Sequence, residues 1–203
     1  MMKQGTLFII SAPSGAGKTS LVGEILSRSD NIQASVSHTT RERRSGEEDG
    51  VNYHFVNQPE FLKMVDEDSF LEHAEVFGNH YGTSESWVRM TLELGIDVIL
   101  EIDWQGAEQA RKHFPSSQSI FILPPSKQAL QERLTLRGQD NKEVIDRRIA
   151  AATQEMSHYI DADYLIINDD FETARTQLES IITSQRCRLP ATDHQDLLTD
   201  LLA

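Results

Sequence analysis

The stretch Ser11-Ala12-Pro13-Ser14-Gly15-Ala16-Gly17-Lys18-Thr19 has the residue types and spacing to hold phosphate. The pattern for such a loop is glycine, four residues, then Gly-Lys-Ser/Thr. Ala12 stands where the first glycine is expected, a departure the loop tolerates if φ at Ala12 stays negative. Gly15 and Gly17 let the backbone curl so that successive N–H groups face one anion, and a helix starting there adds partial positive charge. In this setting Lys18 bridges the β- and γ-phosphates of a nucleoside triphosphate, and Thr19 holds Mg2+. An ordinary glycine turn would not need Lys-Thr at the joint between a buried strand and an amphipathic helix.

A second cluster lies in Ser37-His38-Thr39-Thr40-Arg41-Glu42-Arg43-Arg44. Three arginines within four positions need a reason in a chain with 19 basic and 32 acidic residues and a net charge of −13. Tyr53 and Tyr81 fall in the same region. Guanidinium forks with tyrosine hydroxyls suit a phosphate monoester, since arginine binds it bidentately.

Taken together, these motifs resemble guanylate kinase. The resemblance is carried by the phosphate loop, Ser37-His38-Thr39-Thr40-Arg41 with Arg44 and Gly46-Glu47, Glu72, Gly78-Asn79-His80-Tyr81-Gly82-Thr83, Glu101-Ile102-Asp103 with Gln105-Gly106, and Asn168-Asp169-Asp170. It implies an α/β fold of the P-loop nucleoside monophosphate kinase type, with a parallel sheet core, a mixed β insertion that binds GMP, and a helical lid. The implied layout is a domain over residues 5–186: core 5–34, 90–125 and 150–186, insertion 35–89, lid 126–149. A tail, 187–203, follows. The implied activity is ATP-dependent phosphorylation of GMP to GDP with Mg2+, serving guanine nucleotide synthesis and recycling.

By the family pattern, Arg41, Arg44, Tyr53 and Tyr81 grip the GMP phosphate, while Ser37, Glu72, Thr83 and Asp103 surround the guanine. The chemistry agrees: guanine offers donors at N1 and N2 and an acceptor at O6, matched by carboxylates and hydroxyls respectively. Adenine would leave a buried carboxylate unpaired, which costs on the order of 10⁴ in discrimination. Asp103 has two roles open to it, at the guanine or beside Mg2+. Asn168-Asp169-Asp170 either lines the adenine pocket or caps the last helix. Nothing is aimed clearly at a 2′-hydroxyl, so dGMP stays open as an acceptor beside GMP.

The segment from Lys127 to Arg148 holds six basic side chains against four acidic ones. Matching it to the family's lid implies that Arg137 and Arg148 reach the transferring phosphoryl group, with Arg133 a weaker candidate. A non-catalytic protein-binding module is the rival reading; intact Lys18, Thr19 and Arg41 argue against it.

These residues must be positioned by alternating strands and helices. Thr6 to Ile10, Val98 to Asp103, Ser119 to Leu123 and Tyr164 to Ile167 read as core strands, the first apolar on both faces as in a parallel sheet. Thr19–Arg28, Pro59–Asp66, Glu85–Leu94, Lys127–Arg137, Lys142–Ser157 and Phe171–Arg186 read as helices. Short alternating pieces at Ala34–Ser37, Val51–Val56 and Leu71–Val76 read as strands of the insertion. In the tail, Leu197, Leu198, Leu201 and Leu202 make an apolar stripe after Thr192-Asp193. It either packs on the core or makes a contact within a homo-oligomer.

Composition sets the outer limits. At 203 residues, 38% hydrophobic and 25% charged, the chain can bury a core of its own. The charge of −13 argues against nucleic acid or an anionic membrane as partner. A single cysteine, Cys187, permits no internal disulfide, and no apolar run approaches membrane-spanning length, so a cytoplasmic location is expected.

Overall fold

A computed structural model describes residues 4–76, 78–136, 149–150, 152–189 and 195–203. Strand β1 (Leu7–Ser11) is buried at all five positions and lies at the centre of a parallel sheet. Its neighbours are β7 (Asp97–Glu101) on one side and β8 (Gln118–Leu123) on the other. Strands β2 (Ile32–Ala34) and β9 (Tyr164–Ile167) close the edges, giving the order β2-β7-β1-β8-β9.

Side-chain alternation along β1 explains why it must be apolar from Leu7 to Ile10. Phe8 and Ile10 face α1 (Lys18–Arg28) and α6 (Phe171–Arg186), packing with Leu21, Ile25, Leu178 and Ile182. Leu7 and Ile9 face the opposite layer, where α3 (Glu85–Glu93) and α4 (Trp104–His113) contribute Val88, Leu92, Ala107 and Ala110. Each fully buried aliphatic or aromatic side chain here contributes about 1.5–3 kcal/mol.

The insertion forms a separate mixed sheet of order β4-β3-β6-β5, with β3 (His38–Thr39), β4 (His54–Phe55), β5 (Phe70–Val76) and β6 (Asn79–Ser84). Helix α2 (Gln58–Asp66) opens on a capping box, with Asn57 and Glu60 each satisfying the other's backbone N–H. Its Phe61 is fully buried and stacks on Phe70 and His80, which anchors the helix to the sheet. Helix α5 (Lys127–Leu136) and the helical residues 152–156 share a small core of Leu130, Leu134 and Ala152.

Two expectations need correction. The piece read as an insertion strand at Ala34–Ser37 is instead Ile32–Ala34, paired in parallel with β7 as an edge of the core sheet. The chain is already in core register at Ile32, whose side chain is buried, before it departs into the insertion. The strand read through Asp103 ends at Glu101, because the Asp103 side chain accepts from Gly106 N–H at 2.9 Å and starts α4. The expected helices at Lys127–Arg137 and Lys142–Ser157 fall partly on residues 137–148, outside the described residues.

Candidate active site

The carboxyl ends of β1 and β7, where open α/β sheets place ligands, open into a cleft of about 320 Å³. One wall is the phosphate loop: Ala12, Pro13, Ser14, Gly15, Gly17, Lys18 and Thr19. Gly15 and Gly17 sit at φ 91° and 93°, the left-handed region that favours glycine. At Gly17 space is also limiting, since a β-carbon would collide with the Asn168 amide. Asn168 is buried and donates to Ala16 O at 2.7 Å, while Arg133 donates to Asn168 O at 2.8 Å. The last core strand therefore braces the loop from behind. Asp170, two residues on, caps α6 through Thr173 N–H at 2.8 Å.

Lys18 is half-buried as a residue, but its ammonium is enclosed and donates to Ile102 O at 3.2 Å. Burial lowers its pKa below the ordinary lysine value, and the surrounding acids Glu101, Asp103, Glu155 and Glu72 oppose that shift. Thr19 donates to Glu101 Oε2 at 3.0 Å. A hydroxyl and a carboxylate oxygen side by side are hard donors that fit Mg2+ better than a soft metal. Of the acidic residues here, Asp103 has by sequence two roles open to it, at the guanine or beside Mg2+; the carboxylate bonded to Thr19 is that of Glu101.

The opposite wall comes from the mixed sheet: Ser37, Tyr53, Glu72, Ala74, Val76 and Tyr81. Glu72 is only 3% exposed and is paired across the β5–β6 ladder with Thr83. Burial, with a smaller push from Asp103, raises the Glu72 pKa to about 7, against the opposing effects of Thr83 and Lys18. Ser37 Oγ lies 3.1 Å from Thr83 Oγ1, so Ser37 is bonded to the residue that Glu72 pairs with. Glu72 also lies against α4 at Gly106.

Arg41 is held in place by Glu47 and Tyr53. Its Nη2 reaches Glu47 Oε1 at 2.7 Å, and its guanidinium lies 5.3 Å from the Tyr53 ring centroid, itself 5.9 Å from that of Tyr81. The Glu47 hydrogen bond raises the Arg41 pKa further and holds the Glu47 carboxyl below its ordinary value. Burial pushes the Tyr53 hydroxyl up, keeping it a proton donor at neutral pH. Arg44 is different: its side chain is exposed, and only its backbone N–H joins the network, donating to Glu47 Oε2 at 2.8 Å.

The structure thus brings together, along one cleft, the phosphate loop, Ser37, Tyr53, Glu72, Tyr81 and Asp103. Arg41 and Thr83 stand just behind that lining, bonded to it, and Ala16 is buried inside the loop. Arg44 stands apart, and Arg137 and Arg148 lie outside the described residues. Two lining carboxylates went unassigned from sequence: Glu101, legible as the last acidic residue of an apolar strand, and Glu155, which no local pattern marks.

Comparison with known proteins gives a consistent picture. The sequence model of the guanylate kinase family matches residues 4–185. A protein from Saccharophagus degradans named guanylate kinase is 58% identical over the whole of both chains. One of the same name from Escherichia coli K12 is 55% identical, again over the full length of both. A crystal structure of guanylate kinase from Anaplasma phagocytophilum superimposes with a TM-score of 0.79 at 31% identity, covering 97% of this chain and 94% of that one.

Proposed function

The chain belongs to the guanylate kinase family, and on that premise we propose that its cleft transfers the γ-phosphoryl group of ATP to the phosphate of GMP, releasing ADP and GDP. Its parallel core with a mixed insertion is the fold of the P-loop nucleoside monophosphate kinases. The observation that carries the substrate assignment is Glu72, a buried carboxylate paired across the sheet with Thr83, in a cleft whose opposite wall is the phosphate loop. Guanine's N1–H and N2–H donate to such a carboxylate, and Ser37 and Thr83 offer hydroxyls to O6.

In the reaction an oxygen of the GMP phosphate attacks the γ-phosphorus and the bond to the ADP oxygen breaks. The attacking phosphate is already largely dianionic at neutral pH, so no side chain need remove a proton. Catalysis rests on alignment and on charge neutralisation. The loop N–H groups and Lys18 hold the ATP phosphates. Arg41, with Tyr53 and Tyr81 beside it, fixes the acceptor phosphate, and Arg44 reaches it from the surface. Arg137 and Arg148 approach the transferring group. Thr19, with Glu101, would hold Mg2+, which when bound supplies charge neutralisation across the phosphates. Asp103 serves guanine through its cleft-lining carboxylate while capping α4.

The reading extends to context. The product enters guanine nucleotide synthesis and recycling in the cytoplasm. Among the described residues no helix is long and apolar enough to cross a membrane. Leu197, Leu198, Leu201 and Leu202 lie exposed on α7 (Gln195–Leu202), which supports a homo-oligomeric contact through the tail.

The deciding experiment measures ADP release from ATP and Mg2+ with GMP, dGMP, AMP, UMP and CMP in parallel. Turnover with GMP, with or without dGMP, is expected. Equal turnover with AMP overturns the guanine assignment, and no turnover in protein that still binds GMP overturns the enzymatic one.

A further inference from the structure

The mixed sheet ends in β5, an edge strand with β6 on one side only. In an antiparallel pair alternate residues turn their backbone groups away from the neighbouring strand, and at an edge those groups meet no further strand. At His73 a side chain meets them instead. The His73 N–H donates to Gln109 Oε1 at 3.1 Å, and Gln109 Nε2 donates to His73 O at 2.9 Å. A glutamine amide carries the donor and acceptor of a peptide unit, so α4 completes the sheet edge at this residue as another strand would.

Two residues of α4 therefore meet two consecutive residues of β5. Gly106 and Gln109, three apart, lie on one face of the helix. The first lies against Glu72 and the second is bonded to His73. Gly106 makes room for the Glu72 carboxylate, but room alone does not fix where along the helix the strand lies. The paired bonds to Gln109 do, because the strand cannot slide without breaking them. The same helix starts at Asp103, whose carboxylate caps the Gly106 N–H and lines the cleft together with Glu72. The bonded edge thus sets the spacing between the carboxylate of the insertion and that of the core.

Resting on the reading of Glu72 as the group that meets guanine, we propose that Gln109 is a positioning residue for base recognition: its amide holds β5 on α4 so that the Glu72 carboxylate stands where guanine N1–H and N2–H arrive. Gln109 itself lies outside the cleft lining and acts through Glu72. Without the amide, water satisfies the backbone of His73, an exposed residue, so the sheet keeps its fold while the carboxylate loses its fixed place.

The test is steady-state kinetics with GMP and with inosine monophosphate, which lacks only the 2-amino group. Wild type, Gln109→Leu, Glu72→Gln and the double variant are compared. Leucine keeps the approximate size and removes both bonds. A hydrogen bond to a charged group is worth about 10- to 100-fold in an equilibrium constant. Gln109→Leu should therefore lower the kcat/KM preference for GMP over inosine monophosphate about tenfold, chiefly through the KM for GMP, and leave the KM for ATP within about twofold. Added to Glu72→Gln, it should change that preference by less than about threefold, because two residues acting through one carboxylate do not add. A glutamine that only steadies the sheet would cost both nucleotides equally, in both backgrounds. Gln109→Asn, which keeps an amide on a shorter stem, should show the same change at smaller size, and it decides the matter if the leucine variant does not fold. An unchanged preference in the folded Gln109 variant, or an equal change in the Glu72→Gln background, overturns the proposal. A preference that Glu72→Gln itself leaves unchanged overturns the reading of Glu72 and this proposal with it.

Discussion

Glu72 and Gly106 touch so closely that a β-carbon on Gly106 would lie 2.5 Å from Glu72 Oε2. The glycine sits in the first turn of α4, at the N–H that Asp103 caps. It is therefore the absence of a side chain that lets the Glu72 carboxylate, proposed above to read the base, lie between the mixed sheet and the core.

Gly106→Ala should displace Glu72 rather than unfold the protein, because overpacking of this size costs about 1–3 kcal/mol. The expected outcome is a KM for GMP raised about tenfold or more with the KM for ATP little changed. Steady-state kinetics with each substrate varied in turn checks it. Equal effects on both substrates would place the damage in the core.

Glu72 itself links recognition to pH. Its carboxyl titrates near 7 in the free protein against 4.5 ordinarily, so the folded state binds the proton more tightly. Stability from this group is fully present below about 4.5 and is lost as pH rises to about 7. Glu72→Gln should therefore stabilise the ligand-free protein at pH 8 by on the order of 2–3 kcal/mol, with little gain near pH 4.5. Thermal melts at the two pH values test the sign.

The same substitution should relax base choice and flatten a pH profile. Guanine's donors prefer the ionised carboxylate, so wild-type GMP affinity should weaken as pH falls below 7, by up to about tenfold per unit. The GMP phosphate also titrates in this range, near a pKa of about 6. The informative quantity is thus the ratio of wild type to Glu72→Gln across pH. A flat ratio, or unchanged preference for GMP over AMP, contradicts the role given to Glu72.

Arg41 and Arg44 should part company. Arg41 is held by Glu47 and Tyr53, whereas the Arg44 side chain is exposed. Arg41→Ala should raise the KM for GMP about 10²-fold, and Arg41→Lys should recover little because lysine lacks the planar fork. Arg44→Ala should cost about tenfold or less. Measured KM values for the three variants decide.

Removing residues 187–203 should lower the mass measured by light scattering if the exposed leucines of α7 join copies of the chain. An unchanged mass removes that contact. The kinase reaction should persist either way, since the cleft is lined by residues between Ala12 and Glu155.

Much of this was readable from residue types. Gly17-Lys18-Thr19 declared the loop, and the apolar faces of β1 and β7 declared a parallel core. What escaped depends on contacts between distant segments. The strand read at Ala34–Ser37 lies instead at Ile32–Ala34, because three residues are too few to carry a pattern and only pairing with β7 fixes them as an edge of the core. Glu101 and Asp103 are both acidic and two apart; which one meets Thr19 is set by where α4 begins. Glu155 lines the cleft beside the phosphate loop from far along the chain, where no local spacing announces it. Arg41 was found, but not its partner Glu47, whose tie depends on the turn at Gly46 with φ 86°.

The brace from Asn168 to Ala16 has a consequence for how the protein is made. The residues of the phosphate loop leave the ribosome before β7 and β8, with which the strand ahead of them pairs, and before Asn168, whose amide holds the loop. With contacts this distant in sequence, the early segment cannot settle while the chain is growing. The nascent polypeptide thus carries a finished motif and an unfinished site until Asn168 has been translated.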